Sequence, residues 1–278
     1  MARALTFGLT GGVLIGAPRD AAPQLKRYYR AATRLSTLLA LASDLSMATV
    51  GGALKRKGAL TGRLGDILSQ LFILSSVLKR FEDEGRPAED LPFVHWAAQD
   101  ALARAGAAWR SLLANHPSRG AALFLKLIGA PFGLKTSEPD DRCAAAVAAL
   151  IQTHGPARDR LIAGSWTARV EVDPIAVTLA AFDLYPQVEA IERQLKDAAR
   201  GGVIARAPQN LTLLDDWAVE AQGKGLITTQ ERELIGRFAA HADQAIQVDD
   251  FAPDFDIAAG LARRPTDTAP AKTKKKAA

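Results

Sequence analysis

The sequence predicts an all-α fold: a bundle of long helices, then shorter helices, then a disordered basic C-terminal tail. Three observations predict it. Alanine and leucine are abundant while aromatics are only 6% of residues, and both aliphatic types lose little side-chain freedom in a helix. Apolar residues recur every three to four positions over several long runs. No run alternates convincingly enough to form a sheet.

The elements follow in order. Pro23 opens a long helix in which Tyr28, Ala32, Leu35, Leu39, Ala42 and Leu45 form one stripe, with Lys26, Arg27, Arg30 and Arg34 largely off it. Lys55, Arg56 and Lys57 come at its end, where positive charge suits the negative pole of the helix dipole, and Gly58 reads as its stop. The next helix spans about 63–81, with Leu64, Ile67, Leu68, Leu71, Leu74, Leu78 and Phe81 on one face. Phe72, Ile73 and Val77 widen that face, so the helix is expected to be buried on more than one side. A third helix, near 92–115, carries a narrow seam of Val94, Ala98, Ala101, Ala105, Ala108 and Leu112 that lets a neighbour approach closely. The three long helices read as a bundle.

Beyond Pro117 the pattern shortens. Residues 121–128 form a short apolar helix, and Pro131, Gly133 and Pro139 mark an irregular stretch. A helix follows at 141–152, then an extended loop at 166–172, then a long helix at 174–199 with Val177, Ala181, Leu184, Val188, Ile191 and Leu195 on one face. Two short helices close the folded part. The second begins at Thr228, with Glu231 three residues on, the pattern of a capping box. The expected partition is residues 1–20 as a helix end and linker, 21–135 as the bundle, 136–250 as a second helical subdomain and 251–278 as the disordered tail.

The formal net charge of +5 is concentrated in Lys272, Lys274, Lys275 and Lys276, so the body is near neutral. That argues against a nucleic-acid partner: four tail lysines contribute little once screened. Cys143 is the single cysteine, which excludes an internal disulfide and makes a cytoplasmic setting the expectation. The apolar stretch at 4–17 is broken by Thr10, Gly11 and Gly12 and lacks a clean small-x-small cleavage site, so it is not read as a signal peptide. The best membrane-span window, 35–54, contains Asp44 and many small or hydroxyl residues and falls short of a spanning segment of about 20 largely apolar residues, so no transmembrane span is expected.

Chemistry-bearing patterns are scarce. His95, His116, His154 and His241 stand apart from one another, so no metal site is expected. There is no Gly-x-Ser-x-Gly elbow. Gly8, Gly11 and Gly12 miss the dinucleotide-binding spacing, and Gly223, Lys224 and Gly225 lack the Ser/Thr of a phosphate loop, reading as a helix end. Cys143, beside Arg142, opens an alanine run and is read as a small buried hydrophobe. His95 beside Trp96 could carry protons or stack a ligand, but a half-buried structural histidine is the plainer expectation. The acidic run at 82–84 reads as a solvated helix end. No catalytic, cofactor-binding or metal-binding residue is assigned. The stretch 121–134, with Phe124, Leu125, Leu127, Ile128 and Phe132 flanked by Lys126 and Lys135, would suit either a buried connector or a segment lying on a bilayer.

An ordered set of segments adds a resemblance: RALTFGLTGG at 3–12, GGALKRK at 51–57, RLGDILSQL at 63–71, LKRFEDEGR at 78–86, LPFVHW at 91–96, QDAL at 99–102 and VDDF at 248–251. In that order they resemble the C-terminal region of the large bacterial acyl-CoA dehydrogenases of fatty-acid β-oxidation. The resemblance spans nearly the whole chain and is densest from Gly51 to Leu102. It implies a part in FAD-dependent α,β-desaturation of acyl-CoA, in which a family glutamate takes the α-proton and the flavin takes the hydride. That glutamate lies in a Val-Glu-Gly-Ala-Asn type motif which this chain does not contain; its one Glu-Gly pair, Glu84-Gly85, is followed by Arg86. The resemblance therefore implies an accessory or assembly role, with no FAD bound by this chain alone. The implied partner is a dehydrogenase core in the same or a companion chain, forming a homo-oligomer through that core. On this reading the segment at 3–12 is the end of a core helix, and the chain a fragment or split product. A protein-docking or membrane-peripheral adaptor at the inner membrane is the alternative.

Overall fold

The computed structural model describes residues 2–10, 14–166, 173–210 and 213–248. Among these there is no strand, and the chain forms two compact units, Met1–Gly164 and Ser165–Ala278.

The first unit is built on three long helices, α2 (Lys26–Val50), α3 (Gly58–Asp83) and α4 (Leu91–Asn115). The most extensive packing is α3 on α4, with α2 against α3. The apolar stripe of α3 behaves as its spacing predicts on the bundle side, where Ile67, Leu74, Leu78 and Phe81 are buried. On α4 the alanine seam is buried at Ala98, Ala101 and Ala105, and short side chains there let α3 come close. The largest fully buried side chain is Trp109, beside the Ala108 that the pattern favours. On α2 the fully buried stripe is Tyr28, Leu35, Leu38, Ala42 and Ser46, whereas Leu39 and Leu45 are only half-buried.

The boundary between α2 and α3 differs from the sequence expectation. α2 ends at Gly51, whose φ of +56° breaks the helix, and Gly58 starts α3 instead of stopping α2. Residues Gly51–Arg56 between them form a 3₁₀ connection. At the far end of α3, Gly85 (φ +82°) and Arg86 (φ +63°) reverse the chain, and the Arg86 N–H closes on the Phe81 carbonyl at 2.9 Å.

The shorter elements lie around this bundle. α1 (Ala2–Leu9) packs on a π-helical turn, Leu125–Gly129, which continues α5 (Arg119–Phe124). Gly8 makes that contact feasible: a Cβ there would meet the Ile128 carbonyl oxygen at 2.2 Å. α6 (Asp141–Ile151) lies on α4, and α7 (Pro156–Ile162), a helix the sequence pattern does not single out, follows it. Asp140 caps α6 by accepting from the Cys143 N–H at 2.8 Å.

The second unit packs α8 (Pro174–Arg200), α9 (Leu214–Gly223) and α10 (Thr229–Ile246) around Val188, Leu195, Trp217, Ala218 and Ile235. Asp173 caps α8, and Pro186 within it removes one helical hydrogen bond. Thr228 and Glu231 form the expected capping box at the start of α10. Of the run 166–172 only Trp166, which is exposed, is described; the lysine tail lies outside the described residues.

Candidate functional site

The feature most in need of explanation is the outer face of α3. A helix with two apolar faces should bury both, yet α3 buries one. Leu68 is 56% exposed, Phe72 71% and Ile73 43%, while Leu74, their neighbour on the bundle side, is 0% exposed. The expectation that this helix is covered on more than one side is therefore not met by the first unit itself. Small and hydroxyl residues, Gly65, Ser69, Ser75 and Ser76, flank the exposed apolar positions on the same side. Lys79 and Asp83 pair one turn apart at the end of the face, so its charge is balanced.

The acidic run that follows is engaged in the same local way. Asp83 pairs with Lys79, Glu84 with Arg80 and Glu82 with Arg86. Glu82 also accepts from the Tyr29 hydroxyl at 3.2 Å. Burial, and secondly the Glu82 charge, push that phenol up to about 12. The run is a helix end, as the sequence suggests, but its carboxylates are paired with neighbouring cations instead of simply solvated.

A second cluster gathers on α2 and α4. The buried Tyr28 hydroxyl accepts from Arg27 Nη2 at 2.6 Å and from Gln99 Nε2 at 3.3 Å, and lies 3.0 Å from His95 Nδ1. With two donors already on the oxygen, its own proton is left for Nδ1. That assignment leaves the His95 proton on Nε2. The Arg27 guanidinium sits 4.6 Å from the Tyr28 ring centre. Burial, and then the nearby Arg27 charge, lower the His95 pKa, so the neutral ring is favoured. Trp96 is partly exposed, and the His95–Trp96 pair considered in the sequence becomes a His95–Tyr28 pair 67 residues apart in the chain.

Cys143 lies nearby, half-buried, with its Sγ 4.0 Å from the Pro92 carbonyl. Burial and then Asp140 raise its pKa, against a smaller opposing effect of Arg27, so the thiol form is favoured. His116 is buried: its Nδ1 accepts from the Ser118 N–H at 3.1 Å and its Nε2 lies 3.3 Å from Ser46 Oγ. Since Ser46 donates to the Ala42 carbonyl at 2.6 Å, His116 acts as a tie between α2 and the α4–α5 turn. His154 and His241 lie elsewhere, and no group of three His, Cys, Asp or Glu able to hold a metal occurs among the described residues. Gly223 ends α9, and Lys224 reaches back to Glu220 and the Val203 carbonyl, both at 2.7 Å.

The stretch 121–134 is divided. Leu125 is fully buried and Phe124 and Ile128 are half-buried, but Leu123, Leu127 and Phe132 are exposed beside the exposed Lys126 and Lys135. The helical run 23–56 is long and apolar enough by length and composition to cross a membrane; its Leu35, Leu38 and Ala42 sit in the bundle core.

Sequence reasoning missed one element of consequence. α7 is fastened by Arg160, which holds Asp90 through Nε (2.9 Å) and Nη2 (2.6 Å) and also reaches Glu89. Arg80 returns a hydrogen bond to the Arg160 carbonyl. Between α7, α3 and α4 lies a cavity of about 130 Å³. It falls well short of the roughly 300–1,000 Å³ of cofactor clefts, and its rim charges are mutually paired, so it does not fit a flavin dinucleotide.

Fold and clusters together define a helical packing module whose polar groups are largely engaged with one another. Residues 1–251 match the family model for the bacterial-type C-terminal region of acyl-CoA dehydrogenase, and the chain belongs to that family. No solved structure matches it.

Proposed function

We propose that this chain is the accessory helical region of an acyl-CoA dehydrogenase that carries out FAD-dependent desaturation in fatty-acid β-oxidation. In this reading it acts in the cytoplasm, docks on the flavin-bearing core through the outer face of α3 and supports assembly of the enzyme, while the chemistry belongs to the core. The observation that carries it is the apolar width of α3, with Leu68, Phe72 and Ile73 left exposed on a helix whose other side is buried. Family membership supports the choice of occupant. The test is a methyl-NMR titration of the chain with a dehydrogenase core of the same family. The Leu68 and Ile73 methyl signals are expected to shift, and Phe72→Asp to abolish the shift. Unmoved signals at saturating core, or dehydrogenase turnover by this chain alone, would overturn the proposal.

A second reading rests on the exposed Leu123, Leu127 and Phe132 beside Lys126 and Lys135, a pattern that suits a peripheral membrane contact. Flotation with anionic vesicles that is lost in a Leu127→Ser, Phe132→Ser variant would support it; no flotation of the unaltered chain rules it out.

A further inference from the structure

We propose that the cavity beneath α7 is a binding site for a small uncharged apolar molecule, about one six-membered ring or a short alkyl segment in size. Its walls are Val77 and Phe81 from α3, Phe93 and Ala97 from α4, and Ala157 and Leu161 from one face of α7. At about 130 Å³ it is close in size to the roughly 150 Å³ apolar cavity, engineered into another protein, that takes up benzene. Alanines at 97 and 157 leave the volume that longer side chains would fill.

The rim sets the ligand class. Arg80 is paired with Glu84 at 2.8 Å and bonded to the Arg160 carbonyl, and both Asp90 oxygens are held by Arg160. An ionised head group therefore meets no unpaired counter-charge at the mouth and would have to displace one of these partners. A water molecule needs two to four polar partners, and the polar groups of the lining, Arg80, Glu84 and Asp90, are already paired or hydrogen-bonded to one another or to α7. An uncharged apolar molecule needs neither, and gains simply by leaving water. The pocket is partly open to solvent, so entry does not require release of the Arg160–Asp90 clamp that fastens α7.

This site is independent of docking on α3's outer face. The experiment is a benzene titration of the full chain, selectively labelled at valine and leucine methyls. Saturable shifts are expected at Val77, Val94 and Leu161, with sodium hexanoate giving none at equal concentration. Ala97→Leu and, separately, Ala157→Leu fill the cavity and are expected to remove the shifts while the helical circular dichroism is retained. If benzene moves none of these methyls in the unaltered chain, or moves them equally in a folded filled variant, the proposal is overturned. Equal shifts with hexanoate would overturn the assignment to uncharged ligands.

Discussion

Leu74 and Phe72 lie two residues apart on α3 and provide a direct comparison of its two faces. Leu74 is 0% exposed and packs with Tyr28, Leu78 and Val94; Phe72 is 71% exposed. Leu74→Ala removes buried methyl groups from a site enclosed by two other helices, and substitutions of this kind cost about 2–5 kcal/mol. For a domain of this size each kcal/mol lowers Tm by about 2–4 °C, so a mid-range cost of about 3 kcal/mol corresponds to a fall of roughly 6–12 °C. Phe72→Ala removes a larger side chain but one still mostly in water. Its cost to the isolated chain is expected within about 0.5 kcal/mol, partly offset by the better helix propensity of alanine. Thermal unfolding followed by circular dichroism at the helix band measures both. Equal losses for the two variants would mean that Phe72 is packed in the folded chain, and the reasoning that makes α3's outer face a docking surface would fail.

Three further outcomes follow from the structure. Burial and Arg27 depress the folded-state pKa of His95, so the unfolded chain takes up the proton first; this contribution to stability is present above pH 6.5 and is lost as pH falls below it. The pH dependence of urea unfolding checks this, and His95→Gln should flatten its slope in that range. Gly8→Ala places a Cβ 2.2 Å from the Ile128 carbonyl oxygen, so hydrogen exchange should accelerate in α1 and the 125–129 turn and stay unchanged in α3. Thr228→Ala removes the α10 cap at a cost of about 1 kcal/mol in chemical denaturation. Because the Thr228 backbone N–H holds the Glu231 pKa below its usual 4.5, the cap's stabilisation should also fade as pH drops below that value.

The helices are legible in the sequence because their cores repeat with a helical period, and the Thr228–Glu231 capping box because its two partners lie three residues apart. What does not show in the sequence depends on longer range. Gly51 and Gly58 look alike in composition, but only Gly51 takes the left-handed backbone that ends α2. α7 has too few apolar residues to make a periodic signal, and its place depends on Arg160 meeting Asp90, 70 residues away. His95 stands out as a candidate, whereas its partners Tyr28 and Arg27 lie on a different helix. The cavity is lined by residues of three helices, among them Ala97 and Ala157, and no local pattern brings these together.

The exposed area on α3 also sets how it can work. Burying a whole Leu, Ile or Phe side chain contributes about 1.5–3 kcal/mol. Scaled by the exposures of 56%, 71% and 43%, Leu68, Phe72 and Ile73 together hold roughly 3–5 kcal/mol in reserve. Free association costs about 4–15 kcal/mol before any net affinity appears, so these three residues cannot by themselves retain a freely diffusing core. Even a core tethered to the same polypeptide, at an effective concentration in the millimolar range, needs about 4 kcal/mol of net affinity to stay docked, more than this reserve leaves once the cost of association is met. If the outer face of α3 is the docking surface proposed, it therefore holds a core, attached or separate, only together with further contacts elsewhere on the chain.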